Sequence, residues 1–79
     1  MFDSARVETL EHWWNGLWGT ATRRDVWLRY NAAGPLWEVQ TRHAGRIGLR
    51  EYVSEDRARA ALAEVTAAGP GEWTCLRSG

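Results

Sequence analysis

Asp25–Arg42, DVWLRYNAAGPLWEVQTR, decides how the rest of the chain must be organised. Two runs rich in Val, Trp, Leu and Tyr flank Asn31-Ala32-Ala33-Gly34-Pro35. β-Branched and aromatic residues bounded by Asn, Gly and Pro mark paired strands. Pro35 has no N–H to give to a ladder, so it belongs in the loop or at the first strand position. Closing the loop with Asn31 and Leu36 sets Tyr30 opposite Trp37, Leu28 opposite Val39 and Val26 opposite Thr41, all on one apolar face. On the other face Arg29 meets Glu38, Trp27 meets Gln40 and Asp25 meets Arg42. A slip of one residue would carry the charges to the apolar side and break both ion pairs. Each exposed pair contributes only about 0.2–1 kcal/mol, so the pairs select the register more than they hold the fold.

Before the hairpin, Asp3–Trp18 has helical spacing. Asp3 or Ser4 can cap it, Val7, Leu10, Trp14, Leu17 and Trp18 make a stripe, and Gly19 ends it. Tryptophan's preference for strands supplies the rival reading. After the hairpin, Ala44-Gly45-Arg46 reads as a short loop leading to a strand Ile47–Val53. Ile47 opposite His43 and Leu49 opposite Thr41 would both face the core, and a bulge near Arg50-Glu51 would then turn Tyr52 inward. Ser54 caps a second helix with Glu55 and Asp56 in its first turn and Ala58, Ala61, Leu62 and Val65 along its apolar stripe. Gly69-Pro70-Gly71 stops it. Glu72–Arg77 either forms a short fourth strand or lays Trp73 into the core. The expected architecture is a single α+β domain over 1–79. It has two layers in the order α-β-β-β-α, with a three-stranded antiparallel meander covered by two helices.

Seventy-nine residues allow one domain with a modest core. Six tryptophans add apolar area, while the single Cys75 excludes an internal disulfide. Good packing or self-association must supply the remaining stability. The formal net charge is zero, which argues against strong nonspecific attraction to nucleic acid or to an anionic membrane. All ten cations are Arg, and with eleven alanines this usage reads as codon bias in a GC-rich bacterial genome. The first residues lack the uninterrupted apolar core of a signal peptide, and no run approaches membrane-spanning length. A cytoplasmic location is the default expectation.

Catalytic chemistry has thin support. Cys75 with His43 could form a nucleophile and base, but a small apolar Cys is more often packing. Glu8 and His12 could touch a metal if helical, yet no third ligand stands near them. Gly45-Arg46-Ile47-Gly48 lies between strands and does not open a helix, so it is not a phosphate loop. The expectation is a non-enzymatic protein with no cofactor and no metal.

Two family resemblances accompany this reading. Trp37-Glu38-Val39, Gly45-Arg46-Ile47-Gly48 and Ser54-Glu55-Asp56, leading into a helix, resemble the WGR-type domains over about forty residues. Ala44 stands where that family has its naming Trp, and the family's basic C-terminal part has no counterpart here. The resemblance implies strands followed by a helix and an association with nucleic acid. The α-β-β-β-α order is also similar to double-stranded-RNA-binding domains. There, two lysines at the second helix start grip phosphate; Glu55 and Asp56 occupy those places here and would repel it.

The remaining candidate is the hairpin's outer face: Trp27 ringed by Arg29, Glu38, Gln40 and Arg42, with Arg50 joining from the third strand. Trp and Arg are favoured at the energetic centres of protein interfaces. Trp27 could equally be covered by the first helix or by the C-terminal tail. If it is open, the mixed charge suits a protein partner or a second copy of the chain. The alternative is nucleic acid, gripped by Arg29, Arg42, Arg46 and Arg50 with Trp27 as a stacking platform.

Overall fold

The computed structural model describes residues 7–78. Its centre is the hairpin of β2 (Arg24–Asn31) and β3 (Leu36–His43), paired antiparallel in the register that its charges demand. Tyr30 opposes Trp37, Leu28 opposes Val39, Val26 opposes Thr41, and the ionic residues take the other side.

The N-terminal segment corrects the sequence reading. Val7–Trp14 is a strand, β1, antiparallel to β2. Asp3 and Ser4, the expected caps, lie outside the described residues. A bulge between Thr9 and Glu11 inserts Leu10 into the β1–β2 ladder. The expected stripe of Val7, Leu10 and Trp14 only imitates a helix, because Val7 opposite Asn31 and Trp14 opposite Asp25 lie on one face while Leu10 packs against the core on the other. The β-propensity of Val, Thr and the paired tryptophans prevails over that imitation.

β4 (Arg46–Tyr52) follows a turn of only Ala44 and Gly45, both with positive φ (53° and 78°). Two consecutive positive φ values give the primed turn that suits the twist of a tight hairpin. The two-residue turn corrects the expected register. His43 pairs with Arg46, Arg42 with Ile47, and Gln40 with Leu49. Ile47 and Leu49 therefore point away from the core. Tyr52, opposite Trp37, reaches the core side without the expected bulge.

Ser54 caps α1 (Glu55–Ala68), its side chain accepting the Arg57 backbone N–H at 3.1 Å. The helix ends at Gly69, whose N–H bonds back to the Val65 carbonyl. A final strand, β5 (Thr74–Ser78), pairs antiparallel with β1. The sheet order is β4-β3-β2-β1-β5. Among the described residues this is a five-stranded antiparallel sheet with one helix, a β-rich α+β fold and not the expected α-β-β-β-α with two helices. The helix carries the chain from one edge of the sheet to the other.

The core lies between the helix and one sheet face. Val26, Leu28, Val39, Ala58 and Leu62 are buried, with Leu10, Trp13, Trp37, Tyr52, Ala61, Val65 and Trp73 packed around them. Small alanines on α1 let it lie close to the indoles. Arg59 ties the helix to β1 by bonding Glu55 at 2.8 Å and Glu11 at 2.6 Å. Hydrogen bonds from Arg59 and Trp13 hold the Glu11 carboxyl below its ordinary range, against the upward push of burial. At the end of the sheet Gly71, with φ 90°, lies against the Asn15 carbonyl so closely that a Cβ there would collide with it. The loop after α1 and the loop after β1 thus clasp backbone to backbone.

Candidate functional site

The second sheet face carries no helix among the described residues, and its side chains organise themselves. Ladder partners share a face. The pairings therefore place His12 and Trp14 of β1, Asp25, Trp27 and Arg29 of β2, Glu38, Gln40 and Arg42 of β3, and Ile47, Leu49 and Glu51 of β4 on this open side.

Asp25 is its hub. It is 1% exposed although no secondary-structure layer covers it. Its carboxylate accepts from His12 Nε2 at 2.8 Å, from Arg23 Nε and Nη2 at 2.9 and 3.1 Å, and has Arg42 Nη2 at 3.5 Å. Burial pushes the Asp25 carboxyl up. The hydrogen bonds from Arg23 and His12, with the charges of Arg23 and Arg42, outweigh that push and hold it below the ordinary carboxylate value.

Trp27, one position removed on the same face, is half-buried between two of these side chains. The His12 ring stacks on it at 4.6 Å and 19°, and the Arg42 guanidinium lies 5.4 Å from a ring centroid. Among the described residues α1 packs on the other face and β5 lies beyond β1, so neither covers it. Arg23 extends the array, lying 5.2 Å from Trp14 and 5.8 Å from Trp18. Trp14 and Trp18 meet edge to face at 4.7 Å, and Trp18 is 75% exposed. Cation–π and edge-to-face contacts each contribute roughly 0.5–1.5 kcal/mol, so the array is ordered by several modest terms.

Asn15 fixes the loop that presents Trp18 and Arg23. Fully buried, it donates to the Thr22 carbonyl at 2.9 Å and accepts the Arg24 N–H at 3.0 Å. The Trp14 indole N–H bonds the Leu17 carbonyl at 3.0 Å. Between this loop and the β3–β4 turn lies a groove of about 400 Å³ lined by Trp18, Arg23, Asp25, Arg42 and Gly45.

A second buried carboxylate, Glu38, sits closer to the hairpin tip. Arg29 Nη2 donates to it at 2.9 Å and Asn31 Nδ2 at 3.2 Å. Toward the free edge the face turns apolar, with Ile47 66% and Leu49 52% exposed.

Five of the six residues singled out from sequence share this face: Trp27, Arg29, Glu38, Gln40 and Arg42. Arg50 does not. It opposes Val39 and lies on the helix side, as does Arg46 opposite His43. The four arginines named for nucleic acid are therefore split between two faces. Sequence reasoning missed His12, Trp14, Arg23, Ile47 and Leu49. The first two were hidden by the bulge at Leu10, the last two by the length of the turn. A strand reading of Glu11-His12-Trp13-Trp14 with strict alternation would have placed His12 and Trp14 on one face.

The catalytic candidates do not assemble. Cys75 bonds the Arg77 carbonyl and His43 the Ala21 carbonyl, on strands separated by β1 and β2. Glu8 opposes Tyr30 on the helix side and His12 opposes Trp27 on the open side. Among the described residues no group of three or more His, Cys, Asp and Glu could hold a metal ion, and no helix is long and apolar enough to cross a membrane. No family model matches the chain, nor does any curated protein or any solved structure.

Proposed function

We propose that the chain is a small, non-enzymatic protein-binding module whose contact surface is the open face of the sheet. One observation carries this reading. Large apolar side chains stand exposed on that face, Trp18 at one end and Ile47 and Leu49 at the other, around an ordered Trp27–Arg42–Asp25 centre. Exposed apolar groups around aromatic and Arg anchors are the anatomy of a protein interface. The charge distribution favours protein over phosphate. Arg23 and Arg42 are engaged by Asp25, and Arg29 by Glu38, so little uncompensated positive charge faces outward.

The test is capture of a partner with the immobilised chain, followed by titration of the purified partner. Trp27→Ala should weaken binding about tenfold or more. Ala63→Glu, on the exposed side of α1, should leave it unchanged. Binding lost with Ala63→Glu and retained with Trp27→Ala would move the site to the helix. Tight binding to short DNA or RNA that weakens steeply with salt would replace the reading with a nucleic-acid one.

A further inference from the structure

We infer that β4 is a self-pairing edge, and that two copies of the chain join through it into one continuous sheet. Edge strands expose unpaired N–H and C=O groups, and proteins blunt them by shortening, bulging or covering them. β5 is five residues long and its pairing with β1 is bulged. β4 is seven residues long, pairs with β3 without a bulge, and is exposed from Arg46 to Glu51.

The occupant follows from hydrogen-bond parity and charge. His43 and Arg46 close a two-residue turn and exchange both ladder bonds. The alternation of an antiparallel pair then directs the backbone N–H and C=O of Ile47, Leu49 and Glu51 away from β3, toward the free edge. A two-fold axis perpendicular to the sheet pairs β4 antiparallel with its copy and keeps each face continuous. Centred on Leu49, it sets Leu49 against its own copy, Ile47 against Glu51, Gly48 against Arg50 and Arg46 against Tyr52. No charge opposes a like charge. Centring on Gly48 would oppose Arg46 to Arg50, and centring on Arg50 would oppose that residue to itself, both unfavourable.

A second feature of the helix side fits the same register. Gly48 leaves a notch of about 380 Å³ between β4 and α1, lined by Thr41, Gly48, the same chain's Arg50, Tyr52, Glu64 and Val65 among others. A side chain at position 48 would press on Thr41 Oγ1. The Arg50 side chain of the second copy, set opposite Gly48, enters this notch, with Glu64 on its far wall. On the open side the paired Leu49 side chains and flanking Ile47 form a continuous apolar seam.

Sedimentation equilibrium on the full chain over a wide concentration range tests the pairing. Wild type should be a dimer, and Leu49→Lys, at an exposed position, should weaken association about tenfold or more. Arg50→Glu and Glu64→Arg should each be monomeric while keeping the wild-type circular dichroism. Mixed in equal amounts they should form a heterodimer. The carboxylate introduced in one chain then meets the guanidinium introduced in the other, and the native Arg50–Glu64 contact persists across the axis. A monomeric wild type, a dimer indifferent to Leu49→Lys, or a mixture that stays monomeric would overturn the proposal. Trp27→Ala, two strands inward, should leave the dimer intact, so failure of the edge pairing and failure of the open-face reading are separable.

Discussion

The two faces of the sheet bury their central residues by different means. On the helix side Val26, Leu28 and Val39 disappear under Ala58 and Leu62, an apolar layer over an apolar surface. On the open side Asp25 and Glu38 are nearly as hidden, and what hides them is the neighbouring Arg, His and Trp side chains of the same face. The covered face is held by the hydrophobic effect, which is indifferent to direction. The open face is held by charge-assisted hydrogen bonds and stacked rings, which are directional. A surface of the second kind can be rigid and still free to meet a partner.

The sharpest way to break this contrast is on the covered face. Leu28→Ala removes a fully buried side chain beneath α1 and should cost about 2–5 kcal/mol, enough in so small a domain to threaten folding; urea unfolding followed by circular dichroism measures it. A loss well under about 1 kcal/mol would mean that the helix does not seal this face.

Asp25→Asn comes next. It keeps the shape of the hub and removes the charge that His12, Arg23 and Arg42 converge upon, with an expected loss of about 1–3 kcal/mol at neutral pH. The pH dependence has a definite sign. The folded carboxyl titrates below its ordinary 3.8, so its ionised form contributes fully above that value and the contribution is lost as pH falls through the folded pKa. The acid limb of the stability curve should therefore flatten in Asp25→Asn. An unchanged acid limb would show that Glu11, also lowered, dominates acid unfolding.

Trp27→Ala should be the mildest for stability, about 1–2 kcal/mol, because the indole is stacked on one side by His12 and capped by Arg42 without being enclosed. A fall comparable to that of Leu28→Ala would make Trp27 a core residue and weaken the case for an open contact surface.

What could be read in the sequence was whatever obeyed strict alternation. The β2–β3 register, the Ser54 cap and the Gly69-Pro70-Gly71 stop followed from residue type and spacing, and so did the shared face of Trp27, Arg29, Glu38, Gln40 and Arg42. The misread parts turn on single residues. Val7, Leu10 and Trp14 have a helix's spacing in a segment that is a bulged strand, which concealed His12. Ala44 at a positive φ shortened a turn by one residue, which exchanged the two faces of β4, sending Arg50 to the helix side and Ile47 and Leu49 outward. Ala has no special preference for that conformation, so nothing in its identity announces it. The convergence of His12 and Arg23 with Arg42 on Asp25 depended on reading β1 as a strand, and spacing alone did not reach it.

The crossover from β4 through α1 to β5 has a consequence for biogenesis. Among the described strands β1 is made first, yet one of its two neighbours, Thr74–Ser78, is made last. Until then the nascent protein holds an open ribbon along β1 that includes Trp13 and Trp14, and closure waits on contacts that join the first and last of the described strands. A chain without Thr74–Ser78 would leave that ribbon uncapped, with one edge of β1 unpaired.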